Sequence, residues 1–210
     1  MGCSNIDENV LKNLERLEAS IGAFFQLLPM PTYVALLRGI NVGKAKRIHM
    51  VDLRALMVEL GFSQVATLLN SGNVVFHAPP GTSATYAARI SHVIAEKLHL
   101  DVPVIVKSAS EWVSIVTENS LAQQAPDHSR MLVVFAQDDL TLAGLESIGR
   151  LTVAPESFVV GHHAAFLHCA NGILDSKAGA ALLGKAGKAV TTRNWATVLK
   201  LTAMVESSGA

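Results

Sequence analysis

The order in which apolar segments follow one another from Tyr33 limits the fold of this chain more than any other property. Residues 33–37 form an apolar run of strand length. Met50, Leu53, Leu56, Met57 and Leu60 recur at helical spacing and stop at Gly61. Residues 65–69 and 74–76 are two further strand-type runs, joined by Asn70-Ser71-Gly72-Asn73, all residue types that favour turns. Thr82 or Ser83 is placed to cap a second helix with Tyr86, Ile90, Val93, Ile94 and Leu98 on its inner face. Residues 102–106 close the series as a fourth strand. The order is βαββαβ, which suits a ferredoxin-like unit.

The second half repeats this order less regularly. Ser110 is placed to cap a short helix carrying Trp112, Ile115 and Val116, and residues 131–135 read as a strand. Leu142, Leu145 and Ile148 predict a helix. Residues 158–160 and 164–169 predict a hairpin around Gly161-His162-His163, and residues 176–183 and 193–204 predict two helices. The expected fold is therefore α+β, with two related ferredoxin-like subdomains at residues 30–107 and 108–210, the second degenerate. Residues 1–29 read as an added segment. Val10, Leu14, Leu17 and Ile21 share one helical face, Pro29 and Pro31 end it, and Met30 is a candidate second start.

Composition excludes several classes. The chain has 210 residues, 50% hydrophobic and 16% charged, which builds a core and argues against global disorder. Seventeen basic residues balance seventeen acidic ones, so no overall basic field holds nucleic acid. Two cysteines, Cys3 and Cys169, do not make a disulfide scaffold, and they fit a reducing cytoplasm. No apolar run approaches the roughly 18–20 residues of a membrane span. No secretory signal is evident. Met1-Gly2-Cys3 starts like a myristoylation signal, but Ile6 stands where Ser or Thr is needed.

Three polar cassettes remain: residues 38–43 (Arg-Gly-Ile-Asn-Val-Gly), 70–73 and 191–195 (Thr-Thr-Arg-Asn-Trp). In a βαββαβ sheet the end of strand one lies beside the start of strand three, so the first two cassettes are expected on one sheet edge. Gly39, Gly43 and Gly72 let backbone amides approach an anion. Arg38 offers a planar fork of donors, and Asn41, Ser71 and Asn73 can orient a polar ligand. Each residue type is also an ordinary turn former. In the third cassette Thr191 or Thr192 is read as the cap of the last helix, with Trp195 as a core anchor. Arg193 there opposes the helix dipole unless it holds an anion beside the free amides. Lys177 and Asn194 complete the candidate set, and Lys200 is a further cation near the cassette.

Known chemistries fit poorly. Residues 39–44 and 184–189 have too few residues between their glycines for a phosphate loop, and no Ser or Thr follows the lysine. No dinucleotide fingerprint follows a strand. His162, His163, His168 and Cys169 lack metal-ligand spacing, and adjacent strand residues face opposite ways. No nucleophile elbow is present, and Asp138 and Asp139 are explained as helix caps. A sheet that binds RNA by stacking would offer only Tyr33 and Phe76. Nothing calls for a metal or cofactor.

Taken together, residues 33–43, Met50 with 52–54, residues 71–76, Ser176-Lys177, and residues 192–195 with Thr197 and Lys200-Leu201 resemble the bacterial domain-of-unknown-function family 1697. The resemblance covers about residues 31–203. It implies an α+β protein of two related subdomains, of bacterial cytosolic type, and transfers no catalytic residue. Lys44-Ala45-Lys46 after Gly43 and Ala178 after Lys177 depart from the pattern.

The leading expectation is binding of a phosphate-bearing or other anionic ligand, such as a nucleotide or nucleic-acid end. Arg38, Asn41, Ser71, Asn73, Lys177, Arg193 and Asn194 would form the site, with no membrane partner. The alternatives are a transferase or hydrolase at the same surface, with His49 or Ser71 as nearest base or nucleophile, or a protein-interaction module without a small-molecule site.

Overall fold

Alternation of buried side chains along β1 (Thr32–Leu37) places two cores on either side of one strand. Tyr33, Ala35 and Leu37 point to one core, while Val34 and Leu36 point to another. A strand buried on both faces reads as a continuous apolar run, as this one does. The computed structural model describes residues 30–43, 46–184 and 187–208, with Val10, Lys12 and Arg16 near the start. Those three are helical and exposed. The rest of the expected N-terminal helix face, Leu14, Leu17 and Ile21, lies outside the described residues.

The first half continues as α1 (Met50–Glu59), β2 (Ser63–Leu68), β3 (Asn73–His77), α2 (Ser83–Leu98) and β4 (Val104–Ser108), with strand order β2-β3-β1-β4. α3 (Ala109–Glu118) and a 3-10 turn (Ala122–Gln124) lead to β5 (Met131–Ala136), α4 (Asp139–Ala143) and α5 (Glu146–Gly149). Then come β6 (Ser157–Val160), β7 (Ala165–His168), α6 (Lys177–Leu183), β8 (Val190–Asn194) and α7 (Trp195–Ser208). The second sheet has order β6-β7-β5-β8, and every pairing in both sheets is antiparallel. No described helix is long and apolar enough to cross a membrane.

Both sheets belong to one unit from Pro31 onward. α1 and α2 cover the outer face of the first sheet through Leu53, Met57, Ile90 and Ile94. α3 and α7 share the middle core with the inner faces of both sheets, where Trp112 stacks on Phe135 with centroids 5.3 Å apart. The Trp112 indole N–H donates to Thr202 Oγ1 at 3.0 Å, so this large ring is buried without an orphaned donor. α4, α5 and α6 cover the outer face of the second sheet.

Three local expectations change. Ser108, not Ser110, caps α3, and it forms a capping box with Glu111. The Leu142–Ile148 periodicity breaks into α4 and α5, with Asp138 capping α4 through Thr141 N–H at 2.8 Å. Most consequentially, the segment expected to open the last helix is β8, and the helix begins at Trp195. Val190, Thr191 and Thr192 are a β-branched run that favours a strand, and Asn194 supplies the cap through its Oδ1 and the Thr197 N–H at 2.9 Å.

Register then relates the two halves position by position. Ala35 faces Val106 and Leu37 faces Val104 in the first sheet, as Val134 faces Thr192 and Ala136 faces Val190 in the second. Arg38 follows β1 where Gln137 follows β5. Counting α3 with β1–β4, which it follows as α7 follows β8, each half also grips the hairpin of the other. Glu118, at the end of α3, accepts the His162, His163 and Ala164 amides of the β6–β7 turn, each at 2.9 Å. That turn is thus a small anion nest occupied by the chain's own carboxylate. The matching grip on the β2–β3 turn is made by Arg193.

Candidate functional site

Residue alternation on β8 sends Arg193 toward the first sheet. Its Nε donates to Asn73 Oδ1, Nη1 donates to Thr191 Oγ1 at 2.9 Å and Thr192 O at 2.8 Å, and Nη2 donates to Leu37 O at 2.8 Å and Ser71 O at 3.1 Å. Gly72 O lies 3.4 Å from Nη2. All five N–H groups of the fork are committed to protein acceptors. Burial lowers the pKa of this guanidinium to about 10, which leaves it charged at neutral pH. Arg193 is therefore a clasp between the halves, and the helix-dipole argument for it as an anion ligand does not apply to a strand residue.

Asn73 and Asn41 are similarly occupied. The Asn73 amide donates to Leu68 O at 2.9 Å and Ser71 Oγ at 3.0 Å. Asn41, in the left-handed region at φ 57°, donates to Ile48 O at 2.9 Å and Asn70 O at 2.7 Å, and accepts the Ile48 amide at 3.0 Å. It fastens the loop after β1 to the β2–β3 turn. Gly72 is required here, because its φ is +76° and a Cβ would stand 2.6 Å from Leu37 Cβ.

Arg38 is different. Its Nη1 donates to Val190 O and its Nη2 reaches Leu183 O at 3.4 Å, and among the described residues three of its five N–H groups have no acceptor. Among the described residues no carboxylate pairs with Arg38 or Arg193. Partial burial lowers the Arg38 pKa. Gln137, at the equivalent position of the other half, accepts the Val106 amide at 2.9 Å and donates to Val106 O at 3.3 Å. It thereby closes both backbone groups of that edge residue. Arg38 has no acceptor atom and cannot do this for Thr192.

The backbone direction at Thr192 follows from the ladder. The Cys169 amide bonds Arg130 O, so even residues of β5 bond β7 and its odd residues bond β8. Thr191 and Arg193 then face β5, and the N–H and C=O of Thr192 face the open edge. Along this edge the Val190 and Thr192 carbonyls are taken by Arg38 and Arg193. The acceptors are capped, and among the described residues nothing accepts from the Thr192 amide.

A cleft of about 740 Å³ opens on this edge. All three cassettes contribute to its lining: Arg38, Gly39, Ile40 and Val42 from the first, Ser71 from the second, and Thr191 to Asn194 from the third. Leu37, Leu69, Leu183 and Thr197 complete it. Asn73 is linked to the cleft through Arg193. Asn41 lines a separate cavity of about 300 Å³ with Arg47, His49 and Asn70, and Lys177 is exposed on α6, lining neither. His49 thus sits away from Arg38's cleft. Among the described residues no group of histidine, cysteine and carboxylate side chains is arranged for a metal. Burial pushes the Cys169 thiol up to about 11, which makes it a poor nucleophile.

Sequence reasoning placed the 191–195 segment at the site but singled out Arg193 and Asn194 rather than Thr192, and it missed Leu183 and Gln137. The β-branched run before Arg193 was the available signal for Thr192. Nothing in the linear sequence pairs Gln137 with Arg38, because only the ladder register makes them equivalent.

The family described as "Protein of unknown function (DUF1697)" matches residues 30–166, and the chain belongs to that family. Among solved structures, the chain is similar to a conserved bacterial protein from Streptococcus pneumoniae. The two are 22% identical, the match covers 84% of this chain and 99% of that one, and the TM-score is 0.67. At that identity the likeness is one of fold. No curated protein gives a significant match.

Proposed function

We propose that this DUF1697 protein binds a phosphate-bearing or other anionic ligand in the cleft between β1, the β2–β3 turn and β8. Nucleotides and nucleic-acid ends fall within that class. The observation that carries the reading is the imbalance along the β8 edge. Its carbonyls are capped by two arginines, while the Thr192 amide and three Arg38 N–H groups are left as donors. A peptide strand needs donors and acceptors in alternation, so this edge disfavours strand addition and favours a ligand that only accepts. Asn194 and Thr192 are residues of the same lining. Arg193 supports the site by fixing its walls and adding positive potential.

The transferase or hydrolase alternative has less support. Among the described residues the cleft lining contains no Asp, Glu, His, Cys or Lys, so none of them stands beside Arg38 as a general base. The same reading treats the halves as two ferredoxin-like units of a bacterial cytoplasmic protein. The matching strand orders support the first part of that statement.

The test is ligand-dependent melting of the wild type and Arg38→Ala with inorganic phosphate, phosphate monoesters and a short oligonucleotide. Saturation at about a hundredfold over Kd adds about 2.7 kcal/mol, a rise of roughly 5–10 °C for a chain of this size. Arg38→Ala should abolish the rise. No shift of the wild type with any of these compounds sinks the proposal.

A further inference from the structure

We infer that the ligand carries its anionic group on an aliphatic body, so that the cleft takes an aliphatic phosphate or carboxylate. This rests on the anion-binding reading and narrows it against nucleotides and nucleic-acid ends. The apolar residues of the lining are Leu37, Ile40, Val42, Leu69 and Leu183, of which Leu37 and Ile40 are buried in the outer core of the first sheet. Three of these are open to solvent at the rim: Val42 is 73% exposed, Leu69 54% and Leu183 52%. They come from three different segments and surround one opening. Leu69 is held there at φ 57°, a conformation that disfavours Leu and suits Asn or Gly, so turn geometry alone does not explain this residue.

Among the described residues the lining holds no Phe, Tyr, Trp or His. A nucleobase is held by stacking on such rings, and here there is none to stack on. A polynucleotide also needs several cations spaced along its phosphates. Among the described residues this cleft offers one arginine with free donors, and Arg193 has none to spare. A single acceptor-only head with an aliphatic chain uses what is present. The head meets Arg38 and the Thr192 amide, and the chain covers the rim leucines and Val42.

The experiment is isothermal titration of the full chain with inorganic phosphate and with ethyl, butyl and hexyl phosphate. Adenosine 5′-monophosphate and hexanol are the comparison compounds. Each buried methylene should tighten binding about threefold to fourfold. Hexanol should not bind measurably, and adenosine 5′-monophosphate should bind no better than ethyl phosphate. Leu69→Asn, suited to the same backbone angle, combined with Leu183→Gln should flatten the chain-length dependence. If phosphate and hexyl phosphate bind equally, or the nucleotide binds tighter than hexyl phosphate, the inference is overturned while the anion reading stands. If no anion binds, both fall. Sedimentation with phosphatidic-acid vesicles, with soluble hexyl phosphate ignored, also overturns it, in favour of a membrane lipid.

Discussion

Replacing Arg193 by Met keeps most of the side-chain volume and removes the fork that joins β8 to the first sheet. Two fully buried residues, Leu37 and Asn73, then lose the donor that satisfies Leu37 O and Asn73 Oδ1. Each orphaned acceptor costs about 1–3 kcal/mol. Ser71 is exposed and Gly72 O keeps the Leu37 amide at 2.8 Å, so these two contribute little. Relief of the arginine's own desolvation offsets part of the loss. The expected destabilisation is about 3–4 kcal/mol, a large share of the roughly 5–15 kcal/mol that holds an ordinary domain. With a urea m-value of about 2 kcal/mol/M, the unfolding midpoint should fall by about 1.5–2 M. Arg193→Lys, which keeps the charge but not the fork, should fall by about half as much. A double-mutant cycle with Asn73→Ala should show a coupling of about 1–2 kcal/mol. If the Arg193→Met midpoint lies within about 0.5 M of wild type, or the coupling is zero, the clasp is not what joins the halves.

Other perturbations test separate parts of the argument. Arg38→Gln installs the side chain that the other half uses at this position, and should abolish phosphate binding while leaving stability within about 1 kcal/mol, as read by titration and urea unfolding. Gly72→Ala sets a Cβ against Leu37 at φ +76° and should cost about 2–4 kcal/mol, measured as a drop in unfolding midpoint; a neutral result would mean the turn rearranges freely. Burial raises the Glu111 pKa, but the Ser83 hydroxyl, the Ser108 amide and the Lys107 ammonium outweigh it, and the net direction is downward. A lowered folded pKa means stability that is full above the unfolded value near 4.5 and is lost as pH falls through the folded value. Glu111→Gln should therefore flatten that acid limb in pH-dependent melting, and an unchanged limb would count against the assignment.

The first half was legible because its segments are long and strongly periodic, and because Asn70 to Asn73 is a turn by composition. The third cassette was not. Thr191 and Thr192 carry two conflicting signals, helix capping and β-branching, and the pairing of β8 with β5 decides between them. Ser108 with Glu111 is a capping box written in the sequence, yet Ser110 is equally plausible without knowing where β4 ends. For the site, residue type placed Arg38, Ser71 and Asn194 on the cleft. It could not show that Asn41, Asn73 and Arg193 are consumed by internal partners, because several of those partners are far off in sequence, as Leu37 is 156 positions from Arg193. The uncapped Thr192 amide is a property of ladder phase and has no sequence signature at all.

Glu118 and Arg193 make the two halves interdependent in a way that sheet order alone would not. Each hairpin turn is secured by a charge that the chain supplies from the opposite half, an anion to amides in one case and a cation to carbonyls in the other. A break in the connection after α3 would leave one piece with Glu118 and no Arg193, and the other with Arg193 and no Glu118. Neither piece could finish its own hairpin, but each would hold what its counterpart lacks. The fold thus has the layout of a complementing pair, in which the linker can be severed and the two fragments still have a reason to find one another.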